Sequence, residues 1–256
     1  MSNIYNDILN IPERNLKGQK LTKVFFTNNY ALSAAEKKLL NNVISSMEIF
    51  AHIKPEISNI KAVVNQTDSY ENIFIIVCTL KNVMTTDGAT KCINLIQKYL
   101  PQQALLIIED ESNFVVNAAE KRINQNDKSK LTVERYFTTS ILSKLYKNDL
   151  AASFYKALDF SNLDKTNLEL LYKSYIQAIV QYQAASITGT FQKRSNARTA
   201  QDMEHLEQIE QLESDIVSLT NQIKKESQLN EKVQLNIEIQ KKRQEIQSLK
   251  NTLTKV

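Results

Sequence analysis

Residues 205–223 read HLEQIEQLESDIVSLTNQI, and they lie within a segment from Thr199 to Leu253 that contains neither Gly nor Pro. Aliphatic residues recur here at steps of three and four, which keeps one apolar seam on one face of a helix. The seam residues are Leu206, Ile209, Leu212, Ile216, Leu219 and Ile223. Because the other positions are mostly polar or charged, we expect these six residues to bind a partner helix.

A second apolar seam follows the first, but it is two residues out of phase with it. Its members are Leu235, Ile239, Ile246, Leu249 and Leu253. The break in register has two explanations. One is an antiparallel hairpin that turns at 226–228, with arms of about 25 residues that are each roughly 37 Å long. The other is a single bent helix that dimerises. The hairpin is favoured because its two seams bury each other within one chain.

The region before this tail has the patterns of a mixed α/β domain. The β-branched run Ile73–Val77 predicts a central strand that is buried on both faces. The predicted strands are 60–65, 72–80, 103–109, 114–119 and 131–138. Helices are predicted at 86–100, which Pro101 ends, and at 150–158 and 168–187, with Ile141, Leu142 and Leu145 starting the helical region.

Ser33 and Glu36 form a capping box, which predicts a helix that begins near Ala34. Leu39, Leu40, Val43, Ile44 and Met47 continue it at helical spacing, and Pro55 ends it. His52 would then lie at the helix C-terminus, where the helix dipole stabilises an imidazolium.

These patterns predict an α+β fold, with a small mixed or antiparallel sheet and packed helices, followed by a helical region and a C-terminal coiled-coil hairpin. The predicted domains are an α/β core at 1–139, a helical subdomain at 140–191 and the coiled-coil tail at 199–253. With only three glycines and three prolines in 256 residues, a loop-rich or all-β fold is disfavoured.

The composition excludes several classes of enzyme. Three isolated glycines cannot form a phosphate-binding loop, and two histidines leave few general bases. Cys78 and Cys92 lack metal-ligand spacing, so we expect buried free thiols in a reducing compartment. No apolar run approaches the roughly 20 residues needed to cross a bilayer. We expect a cytoplasmic protein with no cofactor, no metal and no membrane contact.

Nucleic-acid contact stays open, because the formal net charge is +4 and one segment is locally basic. That set comprises Lys121, Arg122, Lys128, Lys130 and Arg135, which could follow a phosphate backbone. A solvated surface is the simpler interpretation. Carboxylates at Glu109, Asp110 and Glu111 permit a metal-dependent nuclease, but no strand with Glu-x-Lys spacing accompanies them.

Several local patterns together resemble a bacterial family described as domain of unknown function 4391. The resemblance covers most of the chain. It rests on Ile11-Pro12, Lys54-Pro55, Ser58-Asn59-Ile60, Tyr136–Thr138 and, in the tail, on Ile223, Lys224, Lys225, Glu226, Gln228, Asn230, Val233, Leu235 and Asn236. A Trp associated with the end of the first helix in that family has no counterpart, since this chain has no Trp. The resemblance implies a setting beside helicases, methyltransferases and restriction-type genes, and it supplies no catalytic residues.

The sequence therefore favours a non-enzymatic accessory subunit of a helicase-containing antiphage-defence or restriction assembly that acts by protein contact. A helicase is one candidate partner, and a homodimer through the tail is another. The alternative is a direct DNA-binding protein or a metal-dependent nuclease, and a second alternative is an inhibitor encoded by a mobile element.

Overall fold

A computed structural model describes residues 4–128 and 130–254. In that part of the chain the strands of the main sheet are β1 Leu16–Lys20, β2 Ile44–Ile53, β5 Ile73–Leu80, β6 Gln103–Glu109, β7 Asn113–Ile123, β8 Leu131–Thr138 and β9 Leu142–Ser143; β3 Val63–Val64 and β4 Ser69–Tyr70 pair separately. The strand order in the main sheet is β1-β2-β5-β6-β7-β8, and the short β9 also pairs with β7. The α+β prediction is confirmed.

The centre of the sheet is a parallel pair, β5 and β6, joined by helix α5 (Thr86–Tyr99). Both strands are mostly apolar and are buried on both faces, as the β-branched run predicted. Every other pairing in this sheet is antiparallel. Helices α1 Ile4–Leu9, α2 Lys23–Asn29, α3 Ala34–Asn42 and α4 Pro55–Ser58 complete the N-terminal part, and a core cluster joins α2, α3 and α5 to the sheet.

The predicted helix from Ala34 towards Pro55 is wrong in its second half. The capping box at Ser33 and Glu36 is present, but α3 ends at Asn42 and β2 follows. Strand β2 has register irregularities between Ile44 and Ser46 and again further along. Each irregularity adds a residue, so buried side chains such as Ile44 and Met47 are three residues apart and imitate helical spacing.

His52 therefore lies in a strand and not at a helix end. Its Nε2 is 2.8 Å from Oδ1 of Asn72, and its ring centroid is 4.4 Å from that of Phe74. Burial lowers the pKa of His52, which favours the neutral ring and reverses the expectation of a stabilised imidazolium.

The sheet also continues beyond the boundary predicted at residue 139. Leu142 of β9 pairs with Phe114 of β7, so residues 141–145 do not start a helix. Helix α6 (Asp149–Leu158) begins instead after Asn148, whose Oδ1 accepts the N–H of Ala151. Helix α7 is Leu168–Thr188, close to its predicted bounds.

The chain separates into two compact units, and the boundary between Ile179 and Val180 lies inside α7. The second unit contains α8 Asn196–Lys225 and α9 Leu229–Thr254, which pack together as a helical hairpin. The turn occupies residues 226–228, as predicted, and Oε1 of Glu226 accepts the backbone N–H groups of Ser227 and Gln228. The hairpin is confirmed over the single bent helix, whereas coiled-coil geometry stays a prediction.

Candidate functional site

The six predicted partner-binding residues lie on the side of α8 that faces α9. Ile209 and Leu212 form a buried cluster with Ile246 and Leu253, and Leu206 and Ile216 pack against it. Leu219 is buried, and Ile223 is half-buried near the turn. The helix that covers this seam belongs to the same chain. Binding of another protein by these six residues stays a prediction.

A buried ionic network closes the end of the hairpin that lies opposite the turn. The Asp202 carboxylate is within 3.1 Å of Nε of Arg194 and within 3.1 Å of Nε of Arg198. Each arginine also donates through Nη2 to a carbonyl of the last turn of α9, at Leu253 and Thr252 respectively. Burial raises the pKa of Asp202 despite the two arginines. The network joins the start of α8 to the end of α9.

The outer surface of the hairpin carries apolar side chains that neither seam includes. Val217 of α8 and Leu229, Val233 and Ile237 of α9 are exposed. Val233 and Ile237 are four residues apart and so lie on one face of α9, where they line a shallow groove of about 400 Å³ with Asn236, Gln240, Lys241 and Gln244. In the sequence, Val233 and Ile237 are an i, i+4 apolar pair that precedes the seam residues Leu235 and Ile239 by two positions.

The structure disperses the predicted basic set. Lys121 is buried, and its Nζ donates to the carbonyls of Leu100 and Gln102, which follow the C-terminal end of α5. Burial lowers the pKa of Lys121 to about 7. Its inclusion in a DNA-binding set was therefore wrong, because the ammonium group cannot reach a phosphate from the core.

The other four members of the basic set lie nearer the surface. Nε of Arg122 is 3.6 Å from Glu134, and Nζ of Lys130 is 2.7 Å from Asp127. Arg135 lies over the ring of Phe137, with Cζ 6.0 Å from the centroid. Lys128 is exposed. A nucleic-acid role for these four residues stays a prediction.

The acidic residues considered for nuclease chemistry lie at the C-terminal edge of the parallel strands. Glu109 accepts hydrogen bonds from the hydroxyls of Tyr5 and Thr79, and its carboxylate is 2.6 Å from Nζ of Lys144. Asp110 accepts the backbone N–H groups of Met84, Ser112 and Asn113.

Burial pushes the pKa of Asp110 up, but these three N–H groups outweigh it, and the pKa lies below its ordinary value. Both carboxylates therefore have partners within the protein. In residues 4–128 and 130–254, no group of three or more His, Cys, Asp or Glu side chains has the arrangement needed to hold a metal ion.

A family model for a domain of unknown function, DUF4391, matches residues 9–246. The chain belongs to the DUF4391 family. No curated protein and no solved structure matches it. The DUF4391 match covers both units and includes α8 and most of α9, so the hairpin belongs to the family's domain.

Some residues that carry the resemblance to DUF4391 have a local structural role. Pro55 is the first residue of the one-turn helix α4, and Asn59 ends that helix in the left-handed region, with φ of 58°. The Ser58 hydroxyl donates to the carbonyl of Lys54, and Ile60 is buried. Val233 of the tail signature lies on the exposed face of α9 described above.

The described chain contains no helix long and apolar enough to cross a membrane. Cys78 and Cys92 are free and buried, as predicted. Burial raises the pKa of both thiols, to about 11 for Cys92.

Proposed function

We propose that this DUF4391 protein is a non-enzymatic accessory subunit of a DNA-processing assembly, and that it acts by protein contact through the outer face of its helical hairpin. The observation that carries the proposal is the exposed pair Val233 and Ile237 on α9, with Leu229 at the start of the same helix. Val233 and Ile237 keep 48% and 44% of their surface exposed. Complete burial of these two side chains against a partner would contribute roughly 2 kcal/mol to the free energy of binding.

The charges of the hairpin favour a protein over a nucleic acid at this face. Helix α8 carries six acidic and three basic residues, whereas α9 carries three acidic and five basic residues. The two helices together have no strong positive field, which is what attracts a phosphate backbone. An apolar helix face of another protein is the partner that this surface suits best.

The DNA-processing setting, with a helicase-containing antiphage or restriction assembly as its most specific form, rests on the family resemblance. An assembly of this kind is where we propose to look for a partner.

The experiment compares tagged full-length proteins purified from the native host. Val233→Asp/Ile237→Asp places two charges on the outer face of α9, and Val24→Asp/Val83→Asp places two on exposed valines of the first unit. We expect the first variant to lose a specific co-purifying protein and the second to retain it, with circular dichroism confirming that both fold. Recovery of the same proteins with both variants, or loss of the partner after nuclease treatment, would count against the proposal.

Direct DNA binding is the second candidate, because Arg122, Lys128 and Lys130 are exposed around the β7–β8 connection. Replacing the three with Gln should then weaken binding to a DNA duplex and reduce its salt dependence, by about one released counterion for each lost phosphate contact. Fluorescence anisotropy over a salt series measures both quantities. Unchanged affinity and salt dependence would exclude this surface.

A further inference from the structure

Helices α3 and α5 lie side by side on one face of the sheet and leave a groove of about 640 Å³ between them. The carboxylate of Glu36 on α3 connects the helices, since it lies 2.9 Å from Nζ of Lys98 and accepts from the hydroxyl of Tyr99, both on α5. Ten residues line the groove, among them Leu39 and Val43 from the α3 side and Lys91, Asn94 and Lys98 from α5. It lies wholly within the first unit.

The floor of the groove is apolar and its rim is basic. Leu39 and Val43 are only partly covered by the core beneath them. Lys38, Lys91 and Lys98 stand at the rim, and Glu36 is the one acidic residue among the ten that line it. Lys91 and Lys98 each pair with a carboxylate of the chain, but no acidic partner is found for Lys38 in the described residues. The rim is therefore positively charged.

A floor and rim of this kind select an amphipathic partner. Binding at the apolar floor is favourable when apolar side chains of the partner cover it. A sugar–phosphate backbone does not supply such side chains. The lysines at the rim favour acidic side chains along the border of the contact. The nine residues of α3 span roughly 13 Å, so the groove has room for two to three turns of helix.

We propose that the groove between α3 and α5 binds an acidic amphipathic helix of a protein partner. Apolar residues at i, i+3 or i+4, and i+7 of that helix would cover Leu39 and Val43, and its glutamates or aspartates would lie beside Lys38 and Lys91. The inference rests on the proposed function as a protein-contact subunit, but it concerns a surface separate from the hairpin.

The test uses full-length protein and a fluorescein-labelled helical peptide of about 14 residues, with leucines on one face and glutamates on both flanks. A second peptide has lysine in place of every glutamate. We expect saturable binding of the acidic peptide, weakened by salt, and no comparable binding of the basic one. Failure of the acidic peptide to bind, or equal binding of the two peptides, would overturn the proposal.

Two variants and a matched control locate the contact. Lys38→Glu reverses a charge at the rim, and Ala35→Glu adds a negative charge to the groove lining at a position near the start of α3, where an acidic residue is favourable for the helix. Each should weaken binding of the acidic peptide by about tenfold. Lys37→Glu makes the same charge change on the same helix outside the groove and should have little effect. Equal losses for Lys37→Glu and Lys38→Glu would overturn the proposal.

A photo-crosslinking residue at Asn94, introduced into the full chain in the native host, identifies the natural occupant. We expect the crosslinked segment to be an acidic amphipathic helix. A crosslink to nucleic acid or to a basic segment would overturn the proposal. Peptide binding should be unaffected by Val233→Asp/Ile237→Asp, so failure of this inference is distinguishable from failure of the hairpin contact.

Discussion

Asp202→Ala is the substitution that most directly tests how the hairpin is held together. The side chain of Asp202 is 1% exposed, and those of Arg194 and Arg198 are 7% and 23% exposed. Removal of the carboxylate takes away the anion that lies between two largely buried guanidinium groups. Removing one partner of a buried ion pair lowers the free energy of unfolding by roughly 3–5 kcal/mol. Since both arginines keep a carbonyl partner on α9, we expect a loss of about 3 kcal/mol.

The assay is native-state hydrogen exchange, because the network acts within the second unit. A loss of about 3 kcal/mol corresponds to roughly hundredfold faster exchange of the slow amides of α8 and α9. Amides of β5 and β6 in the first unit provide an internal reference. Urea unfolding, monitored by circular dichroism, gives an independent free energy.

Asp215→Ala is the matched control. Asp215 is also a carboxylate of α8, and it lies 2.8 Å from Nζ of Lys242 on α9, but its side chain is 36% exposed. An exposed pair of this kind contributes about 0–1 kcal/mol. Equal destabilisation by Asp202→Ala and Asp215→Ala, or no effect of Asp202→Ala, would refute the argument that burial gives the Arg194–Asp202–Arg198 network its importance.

Two further predictions concern the first unit and its dependence on pH. The folded-state pKa of Lys121, about 7, is below its ordinary value of 10.5, so the unfolded chain binds more protons in that interval and stability should rise by roughly 2 kcal/mol between about pH 7 and pH 9. Urea unfolding should show that Lys121→Met abolishes this rise, and an unchanged rise in the variant would contradict it. The hydrogen bond from Lys98 and those within the capping box lower the pKa of Glu36 to about 2, so the stability that its ionised form contributes should be lost as pH falls from about 4.5 to about 2. Glu36→Gln should make thermal unfolding less sensitive to acid in this range, and equal sensitivity of the two proteins would show that the Glu36–Lys98 pair is not responsible.

The sequence predicted the elements whose patterns arise from a single local cause. The run Ile73–Val77 identified the central strand because burial on both faces requires apolar side chains at every position. The polar stretch 226–228 marked the hairpin turn because two seams in different phases cannot share one straight helix. The capping box at Ser33 and Glu36 located the start of α3 because both of its hydrogen bonds are local.

The errors came from features that only tertiary pairing determines. The sequence pattern predicts helix where β2 lies, because the irregular pairing of this strand spaces its buried residues at helical intervals. The basic segment predicts a surface position for Lys121, because nothing nearby in the sequence shows that its amino group donates to the carbonyls of Leu100 and Gln102. The groove between α3 and α5 has no sequence signature either, since its two helices lie about 50 residues apart in the chain.

The most direct test of the proposed protein contact is the reactivity of a thiol placed on the outer face of α9. Both natural cysteines are buried, so Val233→Cys supplies a reactive exposed thiol, and Val83→Cys supplies a comparable one in the first unit. Maleimide labelling of each variant is followed for the isolated chain and for the assembly purified from the native host. We predict that the assembly slows labelling at position 233 by about tenfold or more and leaves position 83 unchanged. Equal labelling rates at position 233 in the isolated chain and in the assembly would contradict the account.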